Sequence, residues 1–242
     1  MNLSGGLPMK ILALEFSSVQ RSVAVIQQSG PGMEAMHPVR TTSTPPIHIN
    51  EVIETGGVGG NTISMIEAVL GEAGLEREQI QTLVIGLGPG SYSGIRRAIA
   101  AAQGWQLARD EQVIKLLGIS SVDCLAAQAI SEGIAGPFNV VIDAQRGEFY
   151  LAVFESGPEG ARNLEPLRLA TLDELKQRET RGEYFFGPEA ARFQNGRVTF
   201  PSASKLAELA LARNDFVPGE MLEPIYLRAT EFVKTQTSRK IS

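Results

Sequence analysis

TLVIGLGPGSYSGIRRAIAAAQGWQLAR, from Thr82 to Arg109, reads as a buried strand, a glycine-rich turn and a long helix. The strand is the apolar run Leu83-Val84-Ile85, with Leu87 after the first glycine. The turn is Gly88-Pro89-Gly90-Ser91-Tyr92-Ser93-Gly94, where glycine reaches backbone angles closed to other residues and Pro89 adds stiffness. Ser91 or Ser93 is placed to cap the helix, whose first N–H groups lack partners within it. Two readings of the turn stay open. An anion such as a phosphate suits a helix N-terminus, and Gly88, Gly90 and Ser91 would hold it. Alternatively, the turn is tight so that strand and helix can pack. It matches neither common phosphate motif: it lacks the Gly-Lys-Ser/Thr ending, and Gly94 comes one place late for G-x-G-x-x-G.

The helix carries two apolar stripes, Ile95, Ile99, Ala102 and Gln106 on one and Ala98, Ala101, Trp105 and Ala108 on the other. A helix apolar on two sides is covered on two sides. The cover is either more of its own chain or, on one face, another protein.

The 242 residues make one large domain or two small ones, and an apolar share of 43% supports an ordinary core. A net charge of −5 excludes a broad basic surface for nucleic acid. The single Cys124 excludes an internal disulfide framework and fits a reducing, cytoplasmic compartment. No apolar run approaches the roughly 20 residues of a membrane helix, and MNLSGGLP lacks the regions of a signal peptide. Residues 1–8 read as a disordered leader.

Along the chain, residues 10–16 (KILALEF) are a buried strand, 21–27 a second strand, 29–32 a hairpin turn and 33–40 a weaker third strand. Residues 41–61, rich in Thr, Pro and Gly, read as a long mobile loop. Asn61 or Thr62 caps a helix running to Ala73, followed by the central stretch and a strand at 113–117. Ser120 with Asp123 forms a capping box for a helix to Ile130. Strands at 138–143, 148–155 and 164–169 follow, then a helix capped by Thr171, a strand at 183–186, a helix at 202–213 and a packing segment at 223–228.

The order strand-strand-strand-helix-strand-helix therefore appears twice, and each first strand ends in an acid, Glu15 and then Asp143, before a tight turn. Two such βββαβα lobes in tandem make an α/β protein of the actin-like, ribonuclease-H-like architecture, with a cleft between them. The expected divisions are 9–117, 118–218 and a tail at 219–232 packing back on the first lobe. In the cleft, Glu15, Ser17, Gly88, Gly90, Ser91 and Asp143 are the candidate phosphate contacts.

Residues 9–26 (MKILALEFSSVQRSVAVI), 88–104 (GPGSYSGIRRAIAAAQG), 142–150 (IDAQRGEFY) and 223–228 (EPIYLR) resemble the TsaB family, formerly YeaZ, in family order and over nearly the whole chain. That family is related to TsaD, once classed as a glycoprotease of peptidase group M22. The resemblance implies a non-catalytic subunit of the bacterial machinery that places a threonylcarbamoyl group on N6 of adenosine 37 in tRNAs reading ANN codons. It implies pairing with a TsaD-type subunit, a TsaE-type ATPase as a further partner, and self-pairing when alone. ATP or ADP would enter only in the complex, and tRNA only through it. The pairing helices would match residues 62–73 and 95–108, so the expected docking face is Ile63, Ile66, Leu70, Ile95, Ile99, Ala102 and Trp105. The sequence departs from the family at Glu15, where members usually have Asp, and at Gln145, where they usually have Arg.

The TsaD-type His-x-x-x-His metal pair is absent, since the chain has only His37 and His48 and neither lies in a cluster with ligand spacing. No histidine follows His48, so Ser91 or Ser93 has no late triad partner. No catalytic residue and no metal site are expected. The rival reading is a nucleotide-binding ATPase or kinase of the same fold, with Glu15 and Asp143 orienting a magnesium–water shell. Against it, the turn Phe16-Ser17-Ser18 lacks a glycine and Ala144-Gln145-Arg146-Gly147 has one at its end; the alternative role for the two acids is to accept backbone bonds in their own hairpins. A protease-like remnant with other partners is a third reading.

Overall fold

The computed structural model describes residues 9–28, 46–56, 61–109, 114–158 and 160–227. The expected leader, the turn at 29–32, the strand at 33–40 with His37, and the tail from 228 onward lie outside them.

The first sheet contains β1 (Lys10–Glu15), β2 (Gln20–Gln28), β3 (Ile47–Thr55), β4 (Thr82–Gly86) and β5 (Lys115–Ile119), in the order β3-β2-β1-β4-β5. β1, β2 and β3 are antiparallel neighbours, while β4 runs parallel to both β1 and β5. The second sheet contains β6 (Pro137–Asp143), β7 (Glu148–Gly157), β8 (Gly160–Thr171), β9 (Tyr184–Gly187) and β10 (Gly196–Val198), in the order β10-β9-β6-β7-β8 with the same sequence of pairings. The repeat therefore runs further than βββαβα, since each sheet gains a fifth strand.

The third strand of the first sheet corrects the expected loop. Residues 47–55 (IHINEVIET) form β3 along the whole of β2, from Gln20↔Thr55 to Gln28↔Ile47. Ile47, Ile49 and Ile53 supply the two-residue period, and the surrounding Thr, Pro and Gly hid it.

Helices α1 (Thr62–Ala73) and α2 (Tyr92–Arg109) cover one face of the first sheet. Asn61 caps α1 by accepting the N–H of Ile63, and Gly74 closes it in the left-handed conformation. Helix α3 (Ser121–Ser131) follows β5 in sequence but packs on the second sheet, while α5 (Ala203–Ala210) follows the second sheet but packs on the other face of the first. Helix α4 (Leu172–Thr180) covers the remaining face of the second sheet through Leu175. This exchange ties the halves together without a shared sheet. After α5 the chain returns to the first sheet: Val217 bridges Leu116, Gly219 lies against Gln103 and Gln106 of α2, and the N–H of Ile225 donates to Leu87 O at 2.9 Å.

Candidate functional site

A cleft of about 930 Å³ opens between the two sheets. Its walls include the turn after β1, the first turn of α2 and the turn after β6, so the two repeats meet there. Of the six residues expected in it, Ser17, Gly90, Ser91 and Asp143 line the cleft. Glu15 and Gly88 do not; both are buried.

Glu15 is wholly buried. Its Oε1 accepts the Ser17 N–H at 2.7 Å and its Oε2 accepts the Ser121 O–H at 2.9 Å, from the start of α3. Burial pushes its carboxyl above the ordinary carboxylate range, and the bonds from Ser17 and Ser121 pull partly back. Gly88 directs its carbonyl to the Ser121 N–H at 2.7 Å, so it serves the α3 N-terminus.

The glycines at 86, 90 and 94 pack against the end of β1. A Cβ on Gly86 would lie 2.0 Å from Glu15 Oε2, one on Gly90 2.1 Å from Ser17 O, and one on Gly94 2.0 Å from Phe16 O. The Ser91 N–H also donates to Ser17 O at 2.6 Å. The loop is glycine-rich because the end of β1 presses into it. Ser91 caps the helix weakly, its Oγ 3.4 Å from the Gly94 nitrogen.

On the other wall, Asp143 is half-buried and both its oxygens hold Gln145, Oδ1 at 2.9 Å from the backbone nitrogen and Oδ2 at 2.8 Å from Nε2. Gln145 and Arg146 are both left-handed, at φ 63° and 57°. Glu189 joins this wall; burial and the nearby Asp143 charge raise its pKa, with Arg192 opposing them. Arg21, Arg97, Tyr150 and Glu189 are cleft residues that local sequence patterns do not signal. At the rim, the Tyr92 ring lies 5.1 Å from that of Tyr226, and Arg96 sits over Tyr92 and donates to its hydroxyl at 2.7 Å. Burial pushes the Tyr226 hydroxyl up to about 12.

The expected docking face divides. Ile66, Leu70, Ile95, Ile99 and Ala102 are at most 5% exposed and form the core between the helices and the first sheet. They are corrected to core residues, because the stripes facing β1 and β4 bury them. Ile63 is exposed and Trp105 half-buried; the Trp105 Nε1 is buried with no partner among the described residues. The outward sides of α1 and α2 carry Ile63, Ala68 and Gly71, and Tyr92, Ala100, Gly104 and Leu107. Among the described residues no group of three or more His, Cys, Asp and Glu is placed to hold a metal, and no helix is long and apolar enough to cross a membrane.

A sequence model of the family described as "TsaD: tRNA N6-adenosine threonylcarbamoyltransferase" matches residues 48–216. The chain is 27% identical over 184 residues to the Escherichia coli "tRNA threonylcarbamoyladenosine biosynthesis protein TsaB", covering 69% of this chain and 78% of that one. It is 32% identical over 105 residues to the protein of that name from Haemophilus influenzae, 43% of each chain. The chain belongs to the TsaB branch of this family. The structure titled "YeaZ from Pseudomonas aeruginosa" superposes with a TM-score of 0.66 at 23% identity, over 90% of this chain and all of that one. TsaB/YeaZ proteins thus share the fold, which is of the actin-like, ribonuclease-H-like type. Matches to the curated TsaB relatives extend from about two-fifths to three-quarters of their length.

Proposed function

We propose that this chain is a cytoplasmic, non-catalytic partner subunit in the threonylcarbamoylation of N6 of adenosine 37 in ANN-reading tRNAs, docking and activating a TsaD-type transferase. The observation that carries this reading is the closure of the glycine loop on the chain's own β1 turn. A nucleotide's phosphates would need those amides, and the Ser91 N–H is given to Ser17 O instead. The acids of the rival ATPase reading are held as well, Glu15 by Ser17 and Ser121 and Asp143 by Gln145. Naming of the relatives supports the pathway.

Docking falls to the outward side of α1 and α2, continued by the tail. Ile63, Tyr92, Leu107, Met221, Tyr226 and Leu227 are exposed on these elements, Leu107 at 84%, and Ala68, Gly71, Ala100 and Gly104 let a partner helix approach closely. The same face would self-pair when the chain is alone. ATP or ADP, a TsaE-type ATPase and tRNA then join through the complex.

The test is sedimentation of the chain with the TsaD-type subunit of the same cell, alongside threonylcarbamoylation of tRNA by the reconstituted set. Ile63→Glu with Leu107→Glu is expected to abolish both pairing and modification while leaving the melting curve unchanged. A folded double variant that still pairs overturns the docking face. Calorimetric binding of magnesium-ATP to the chain alone would restore the cleft as a nucleotide site.

A further inference from the structure

Among the described residues the chain passes between the halves twice: from β5 into α3, which packs on the second sheet, and from β10 into α5, which packs on the first. Any change in the angle between the halves turns about these two crossings. They are built alike. Each enters its helix through a serine cap, Ser120 accepting the Val122 N–H and Ser202 the Lys205 N–H. In each, the residue after the cap is held by the β1–β2 hairpin close to its turn. The Ser121 O–H donates to Glu15 Oε2 at 2.9 Å, and the Ala203 N–H donates to Ser22 Oγ at 2.8 Å.

Glu15 and Ser22 are direct partners across that hairpin, so their side chains stand together on the face that carries α5. Both are wholly buried, as is Ser121. The crossings also touch each other: Gln128 of α3 donates to Phe200 O at 3.1 Å, just before α5. Opening a buried bond leaves its donor without an acceptor, which is costly. The cleft lies directly beside these bonds. Ser17, whose N–H donates to the other oxygen of Glu15, lines it, and so does Phe200. The second hairpin shows what is special to the first. There Asp143 reaches the backbone two residues on, as Glu15 does, so an aspartate suffices for the local bond. Its partner across the hairpin is Phe149, which offers no polar atom where Ser22 does.

We propose that Glu15 and Ser22 form one buried pin by which the first sheet holds both crossings, and that this pin, rather than a ligand between the halves, fixes the width of the cleft. The glutamate is needed for its length: Oε1 serves the local turn while Oε2 reaches the start of α3. Ser22 does the same for the start of α5. The two crossings are thereby tied to neighbouring residues of one hairpin, and the halves keep one angle when the cleft is empty.

The test is the distribution of distances between nitroxide labels in the full chain, whose native Cys124 is buried. Glu72→Cys on α1 and Gln177→Cys on α4 place exposed labels on the outer layers of the two halves. Asn163→Cys on β8 and Val198→Cys on β10 place a control pair on opposite edges of the second sheet. Glu15→Asp, Ser121→Ala and Ser22→Ala are each expected to widen the 72–177 distribution about twofold, with the control pair unchanged. Glu15→Asp and Ser121→Ala should match, because both open the same bond and leave the Ser17 bond in place. An unchanged 72–177 distribution in all three variants overturns the proposal. Equal broadening of both label pairs also overturns it, since that marks a general loosening rather than a released angle. A parent chain whose 72–177 distribution narrows on adding magnesium-ATP overturns it as well, because a ligand would then set the width.

Discussion

β1 ends in Glu15, whose carboxylate accepts the N–H of Ser17; β6 ends in Asp143, whose carboxylate accepts the N–H of Gln145, again two residues on. From the same local device the two turns diverge. Glu15 reaches Ser121 as well and is sealed under Gly86, while the glycines at 90 and 94 press on the carbonyls just after it. Asp143 turns both oxygens to Gln145 and remains half-buried on the cleft wall, beside two left-handed non-glycine residues. The local acid-turn pattern fixes the hairpin, and distant chain decides whether the acid ends up in the core or at the site.

The largest effect is expected where the first turn is clamped. Gly94→Ala drives a methyl to 2.0 Å from Phe16 O, a backbone atom that cannot rotate aside. We expect a loss of about 3 kcal/mol or more in urea unfolding. Gly147→Ala in the second turn has open space around it and carries only the left-handed penalty at φ 79°, about 1 kcal/mol. Equal losses for the two variants would mean that the loop is not clamped.

Glu15 is expected to come next. Glu15→Ala leaves the buried Ser17 N–H and Ser121 O–H without an acceptor, a cost of about 2 to 3 kcal/mol. Glu15→Gln keeps an acceptor for Ser17 and offers its amide to Ser121 Oγ, so it separates charge from shape. Because burial raises the native pKa of Glu15, its contribution to stability is fully present below the unfolded value and is lost as pH rises through the native one. Glu15→Gln should therefore remove part of the fall in stability from acid to neutral pH in melts at matched ionic strength. An unchanged pH profile would show that Glu15 titrates in the native protein as it does unfolded.

Much of this was legible in the sequence because the signals were local. The strand–glycine–helix stretch from Thr82, the acids ending β1 and β6, and caps such as Asn61 and Thr171 sit where their neighbours place them. The missing pieces depended on contacts far along the chain. Nothing near Glu15 announces Ser121, 106 residues on. The stripes of α1 and α2 are apolar on more than one side, so Ile66 and Ala102 could not be told from Ile63 until the sheet was in place. β3 was masked by flanking Thr, Pro and Gly, although its isoleucines alternate.

The smallest expected effect lies in the second turn, where Gln145 and Arg146 hold left-handed angles that cost of order 1 kcal/mol each for a residue with a Cβ. Asparagine tolerates this region better than most residues and, unlike glycine, adds little freedom to the unfolded chain. Arg146→Asn should therefore stabilise the protein by about 0.5 kcal/mol. Gln145→Asn should gain less, because the shorter side chain gives up the Nε2 contact to Asp143. Thermal unfolding of Arg146→Asn in the parent and in Asp143→Asn separates two sources of the turn's shape. If the carboxylate's grip on Gln145 sets the angles, the gain shrinks once Asp143 is replaced, because the relaxed turn no longer forces Arg146 left-handed. If the Ala144–Glu148 backbone bonds set them, the gain is the same in both backgrounds, and Asp143 is a passenger in its turn where Glu15 is a structural part of its own.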